Sequence, residues 1–327
     1  MCFAIATPAW FLGHFVPVIG GPVFAIIFGM FAALRIKDQQ SLKSGVAFTS
    51  KKILQAAVVL LGFGMNLSVI TQTGLRSFPI ILSTIGISLL TAFIMGRAMK
   101  ISPITTTLIG VGSSICGGSA IAATAPVIGA SDEEIAQSIS VVFLYNVIAA
   151  LVFPALGSLL GLSDYGFGLF AGTAVNDTSS VTAAAAAWDA VHRSDSLSIA
   201  TVVKLTRTLA IIPITLTLGF QRAARNKDSI SKNSIRISKI FPMFILFFLV
   251  ASVITTFSTS MGLPASVFAP VKILSKFLIV MSMAAIGLQT DIKLLITKGG
   301  KPLLAGLICW VSVSGVSLLM QRLLGIW

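Results

Sequence analysis

Apolar residues in this chain run in long unbroken blocks, roughly 3–15, 18–34, 53–70, 78–96, 104–128, 135–160, 166–188, 197–220, 240–260, 268–290 and 302–324. Blocks near twenty residues match the ~30 Å of hydrocarbon that a helix crosses at 1.5 Å per residue. A β-barrel would instead show ~10-residue segments of alternating polarity. In lipid every backbone N–H and C=O needs an internal partner, which favours helices for continuous apolar blocks. The pattern predicts an all-α polytopic membrane protein of about 10 to 11 transmembrane helices. The first block is the weakest, being short, interrupted by Pro8 and abutting His14 and Pro17. It reads as a half-span or the remnant of a longer helix, and no basic segment of the kind that opens a signal peptide precedes it.

Composition supports the membrane reading. Only 10% of the 327 residues are charged and 56% are hydrophobic, against about 25% charged in soluble domains. The net charge of +13 would suggest nucleic acid in a soluble protein, but here the basic residues sit in connections between blocks. Arg35, Lys37, Lys43, Lys51 and Lys52, then Arg97 and Lys100, then six residues within 221–239, then Lys293, Lys298 and Lys301 fall in four connections separated by even numbers of blocks. All four therefore share one face, cytoplasmic by the positive-inside rule, with the N-terminus on that face and the C-terminus opposite. Asp132, Glu133 and Glu134 are expected on the opposite face. The polar stretch 221–239 divides a bundle at 1–220 from the helices of 240–327. Cys2, Cys116 and Cys309 lack metal-ligand spacing and read mainly as small buried residues.

Two self-similarities suggest inverted repeats, which are common in secondary transporters. Gly64 and Pro79 recur at the spacing of Gly287 and Pro302, each pair read as a helix end and the next helix start. The second matches Gly112–Ser119 to Gly172–Ser179.

Both members of that second pair interrupt an apolar block. Within 104–128, Ser113, Ser114, Cys116, Gly117, Gly118 and Ser119 would break the helix and free backbone groups at membrane depth. The half-helix starting near Ser119 would aim its positive end at the break, a donor pocket suited to an anion. Close helix packing is the competing reading. Within 166–188, Asn176, Asp177, Thr178 and Ser179 repeat the logic. A carboxylate near the bilayer centre costs at least ~2.5 kcal/mol, so Asp177 needs a partner, a proton or a bound cation, unless it merely caps a shallow helix. Lys204 and Arg207, three apart, share one helix face. They read as a basic wall for an anion, as snorkelling cations, or as ion-pair partners of Asp177. Asn146, beside Tyr145, is a further polar candidate.

At these motifs the sequence resembles the YeiH-type family of bacterial inner-membrane proteins, a family associated with sulfate export. The resemblance rests on Ser114–Ala123 with Pro126-Val127, on Thr201–Arg207, on Leu61–Ser68 and on Met283–Asp291. Where relatives typically show a His-Glu-like pair, this chain has Asn176-Asp177, keeping the acid without the imidazole, and its N-terminus is shorter. The resemblance implies sulfate or a related sulfur oxyanion or sulfonate as substrate, and a bacterial inner-membrane location.

The residues support a secondary transporter of a small anion, coupled to H⁺ or Na⁺ through Asp177, with the bilayer and the anion as partners and homo-oligomerisation left open. The alternatives are an anion channel or a membrane sensor. No phosphate-binding G-x-x-x-x-G-K-[ST] or H-E-x-x-H motif occurs. His14 and His192, the two histidines, lie near segment ends, so no catalytic residue, metal site or cofactor is expected.

Overall fold

The computed structural model describes residues 1–15, 21–35, 42–225, 243–289 and 300–327. Each of the eleven apolar blocks carries helix, and no strand occurs among the described residues. In chain order the helices are α1 (Cys2–Phe15), α2 (Gly21–Arg35), α3 (Lys43–Gly62, with one π turn at Thr49–Ile53), α4 (Leu67–Met99), α5 (Pro103–Ser114), α6 (Gly118–Ile128) and α7 (Asp132–Leu159). They continue with α8 (Asp164–Ala174), α9 (Thr178–His192), α10 (Ser196–Thr208), α11 (Ile211–Arg225), α12 (Met243–Ser260), α13 (Ala269–Gln289) and α14 (Gly300–Leu323). Seven helical stretches of the described residues are long and apolar enough to cross a membrane: α3, α4, α7, α10–α11 together, α12, α13 with the turn before it, and α14.

The blocks 104–128 and 166–188 are helical but do not cross. Each is a re-entrant hairpin. At the first, Ser102 Oγ donates to Glu134 Oε1 at 2.6 Å and Ser138 Oγ donates to the Thr105 carbonyl, so the start of α5 lies beside the start of α7. Ile104 and Ile128, at opposite sequence ends of the hairpin, pack in one cluster with Ile135 and Ile139. At the second, Trp188 Nε1 donates to Asp164 Oδ1 at 2.7 Å and Ser196 Oγ donates to the Asp164 carbonyl. The outer ends of α8 and α9 therefore meet where α10 begins. Phe167 and Trp188 stack there at 4.1 Å.

The helix α7 joins the hairpins, so they enter from opposite faces and their tips meet near its middle. Removing two crossings leaves the parity of the chain unchanged. Arg35, Lys43, Lys100 and Lys301 end or begin helices on one face, called the basic face below, while the basic residues of 226–239 with Lys293 and Lys298 lie outside the described residues. One expectation changes: Glu134 bonds Ser102, two residues from Lys100, so the acidic group at 132–134 shares the basic face.

The two similarities fare differently. Pro79 is interior to the 33-residue α4 rather than at a helix start. The other match coincides with the architecture: α5 and α8 end, and α6 and α9 begin, sixty positions apart. Each hairpin is followed by a full traverse, α7 after the first and α10–α11 after the second, in opposite directions. That is an inverted repeat.

A second body flanks the hairpins. The helices α1, α2, α3 and α12 all pack on α13 or beside it: Ser275 and Ser282 hydroxyls donate to the Ala57 and Thr49 carbonyls of α3, and Thr255 of α12 donates to the Phe63 carbonyl. Of the second hairpin, α9 reaches across to α2 and α13.

The bond that ties the first hairpin to α7 is testable. Glu134 closes a capping box with Ser131 and also accepts from Ser102. Glu134→Ala should cost at most about 1 kcal/mol at neutral pH. Thermal unfolding of the purified variant against wild type reads this loss.

Candidate functional site

At both hairpin tips the backbone leaves the helix for three residues. In the first, Ile115 adopts φ −124° and ψ −88°, and Gly117 adopts φ 64° and ψ −129°, a region essentially closed to residues with a Cβ. In the second, Val175 and Asp177 are extended, and the Asp177 carboxylate accepts from the Ser179 amide at 3.0 Å to cap α9. Each break exposes the last carbonyls of a half-helix at membrane depth, where water is not freely available to satisfy them.

Lys204 and Arg207 satisfy them. Both project from α10 and are fully buried. Lys204 Nζ donates to the carbonyls of Ile115 at 2.6 Å, Val175 at 3.2 Å and Asn176. Arg207 donates through Nε to Ser114 O at 2.6 Å, through Nη1 to Thr173 O at 2.6 Å and through Nη2 to Ser113 O at 2.8 Å. A further contact at 3.4 Å reaches Asn176 Oδ1. The fork thus bridges the two hairpins. The negative ends of α5 and α8, each worth roughly half an elementary charge, face two fixed cations. Gly172 makes this reach possible: a Cβ there would lie 2.7 Å from Val203 Cβ and 2.9 Å from the Ala200 carbonyl, so α8 lies hard against α10.

Asn146 braces the tips from the other side. Its Oδ1 accepts from the Asn176 amide at 2.9 Å, and its Nδ2 lies 3.5 Å from where a Cβ on Gly117 would stand. Asn146 is the fifteenth of the 28 residues of α7, which puts the tips midway along that helix.

The positive ends of the other half-helices, α6 and α9, open onto a cavity of about 440 Å³. Its inner end is Gly118, Ser119, Asn146, Asp177, Thr178 and Ser179, and its walls are Leu54 and Val58 of α3, Phe143 of α7, Phe244 of α12 and Ile286 of α13. Ser50, Lys51, Gln55 and Gln289, near the basic-face ends of α3 and α13, form its mouth. The α6 helix begins without a side-chain cap, so its first amides have no intrahelical acceptor. The cavity lies between the hairpin body and the flanking helices.

The twelve residues singled out by sequence therefore separate into two layers. Gly118, Ser119, Asp177, Thr178 and Ser179 line the cavity. Ser113, Ser114 and Asn176 supply oxygens to Arg207 or Lys204, and Gly117 makes the turn. Cys116 is buried in the first tip, in one cluster with Ala120 and with Ile211 of α11. The fully buried Lys204 and Arg207 stand behind the tips with their donors committed to carbonyls, so they hold the site's shape rather than form an open wall. Sequence reasoning gave too little weight to Asn146, whose signal was an amide in the centre of an apolar block. It did not find Lys51, Gln55, Phe143, Phe244 or Gln289, which the fold brings to the cavity from separate helices.

Comparison with known proteins agrees with a membrane protein. A family model described as conserved hypothetical protein 698 matches residues 1–306. A UPF0324 membrane protein of Streptococcus mutans is 58% identical across all of this chain and 96% of its own length. One from Streptococcus agalactiae is 55% identical across all of this chain and 97% of its own length, and one from Fusobacterium nucleatum is 54% identical with the same coverage. No solved structure matches.

Two substitutions test the tip geometry. Arg207→Lys keeps the charge but cannot bridge the Ser113, Ser114 and Thr173 carbonyls, and each orphaned buried acceptor costs about 1–3 kcal/mol. The variant should lose several degrees or more of thermal stability in detergent. Gly117→Ala should cost about 1–3 kcal/mol through its backbone angles alone, and a neighbouring control, Ser119→Ala, should unfold at the wild-type temperature.

Proposed function

The chain belongs to the UPF0324 family of membrane proteins, and we propose that it is a secondary transporter of a small anion whose binding site is the inner end of the 440 Å³ cavity. The observation that carries this reading is the meeting, midway along α7, of two hairpins from opposite faces, with the uncapped start of α6 opening on the cavity. Discontinuous helices at the midplane of inverted repeats are the usual construction of transporter sites. The Ser119, Thr178 and Ser179 side chains and the first amides of α6 are donors suited to an oxyanion.

Charge balance gives Asp177 its part. Lys204 and Arg207 contribute two positive charges, and the four half-helix ends cancel at roughly half a charge each. With Asp177 ionised the tips carry a net charge of roughly +1, and with it neutralised roughly +2. A proton or Na⁺ on Asp177 therefore strengthens anion binding, which is the thermodynamic basis of coupling. By the positive-inside rule the basic face, where the cavity opens, is cytoplasmic, with the N-terminus on that side. Sulfate or a related sulfur oxyanion or sulfonate is the substrate implied by resemblance, and a bacterial plasma membrane is the location. Transport, not catalysis, is the proposed activity.

Asp177→Asn is the decisive variant, because an asparagine still caps α9 and the fold should survive. In proteoliposomes it should abolish accumulation against a gradient while leaving thermal stability near wild type. Continued accumulation would remove Asp177 from coupling. Thermal shift with sulfate, sulfite, sulfonates and small carboxylates, each with and without Na⁺, should identify a stabilising anion. Conductance without saturation would favour a channel instead.

A further inference from the structure

A second cavity, of about 330 Å³, lies opposite the basic face. Trp10 and Gly13 of α1, Gly21 and Pro22 of α2, Ala186, Asp189 and Ala190 of α9, Arg193 at the end of α9, and Lys276 of α13 form it with Val280. Its position on that face follows from Lys272, one turn before Lys276, whose ammonium pairs with Asp195 at 2.9 Å next to the start of α10.

The cavity holds three charged side chains, and one is already committed. Asp189 Oδ1 accepts from Ser194 Oγ at 2.8 Å and from the Ser196 amide at 2.7 Å, and its Oδ2 accepts from the Leu197 amide at 3.1 Å. Its carboxylate is thus occupied in holding the start of α10. Arg193 and Lys276 join no ion pair among the described residues. Lys276 lies near enough to Asp189 to offset its charge, so the three side chains carry a net charge of +1 with donors to spare on Arg193 and Lys276, and that favours an anion.

Both cavities lie on one seam. Along α9, Thr178 and Ser179 line the tip cavity and Ala186, Asp189 and Ala190 line the second. Along α13, Ile286 and Gln289 line the first, and Lys276 and Val280 the second. Seven residues of helix separate Ser179 from Ala186, about 10 Å at 1.5 Å per residue. The barrier between the cavities is the alanine run: Ala183, Ala184 and Ala185 pack in one cluster with Val280, Met283 and Ala284. On the α9 side this barrier is a single layer of methyl groups.

We propose that this second cavity is an anion-binding site, the outer end of a path along the α9–α13 seam whose inner end is the tip cavity. The site takes a small inorganic or sulfonate anion through Arg193 and Lys276. The path, though not the site itself, rests on the transport reading given above.

Trp10 supplies a probe that needs no knowledge of the substrate. Iodide should quench part of the tryptophan fluorescence of the purified protein, and that part should be absent in Trp10→Phe. In the double variant Arg193→Gln/Lys276→Gln the Trp10 quenching by iodide should fall at least threefold, with quenching by neutral acrylamide unchanged. The charge-preserving pair Arg193→Lys/Lys276→Arg should keep it. Equal iodide quenching in the double variant and wild type would overturn the site. In proteoliposomes, the double variant should raise the KM for sulfate, sulfite or isethionate supplied on the Trp10 side severalfold and leave kcat near wild type. An unchanged KM, with quenching lost, would overturn the path and keep the site. Wild-type protein that takes up none of the three anions would overturn the transport reading and the path together, and the quenching would still decide the site.

Discussion

The structure depends on one constraint: carbonyls released at a helix break inside a membrane must find donors within the protein. Two half-helices end at Ser114 and Ala174, and their last oxygens converge on one point. Water cannot serve that point without flooding the core. Two cations three residues apart on α10 serve it instead, through six contacts to carbonyls at 3.2 Å or less. Neither cation would be stable there alone, since burying an unpaired charge costs several kcal/mol, and neither would the carbonyls. Each makes the other tolerable. The hairpin tips, the cavity beside them and the exposed start of α6 all follow from that mutual satisfaction.

Much of this was legible in the sequence because lipid forces a coarse code. Continuous apolar blocks gave the helices, and loop cations gave one face. The glycine and serine run at 112–119 and the polar run at 172–179 gave both breaks, even in the right mutual register. What the sequence did not reveal was that each break reverses the chain. An interrupted span and a re-entrant hairpin have the same apolar length, and the distinction lies in contacts such as Ser102 with Glu134 and Asp164 with Trp188. Parity gave no warning, because two hairpins cancel.

The same limit explains Lys204 and Arg207. Hydrophobic context marked both as exceptional, yet the pattern alone could not tell cations that face a ligand from cations that face carbonyls. The answer depends on where α5 and α8 end relative to α10, which is tertiary geometry. Gly172 and Val203 record it, since only a glycine lets α8 lie close enough for the Arg207 fork to reach Thr173. Asn146 is subject to the same limit: its importance comes from the amide of Asn176, thirty residues away.

The two halves of the inverted repeat share their helix boundaries, sixty positions apart, and differ in the chemistry of their tips. Position for position, Gly117 answers to Asp177 and Gly118 to Thr178. One tip offers backbone amides without a side-chain cap, and the other offers a carboxylate that already caps its own helix. The bracing is crossed as well: Asn146, on the helix after the first hairpin, holds the second tip, while Lys204 and Arg207, on the helix after the second, hold both. A strictly symmetric site would carry either two acids or none at the centre. Two would repel each other across a few ångströms, and none would leave the charge of Lys204 and Arg207 without a titratable counterweight. A single acid gives the tips two charge states that differ by one unit, at little cost to the fold.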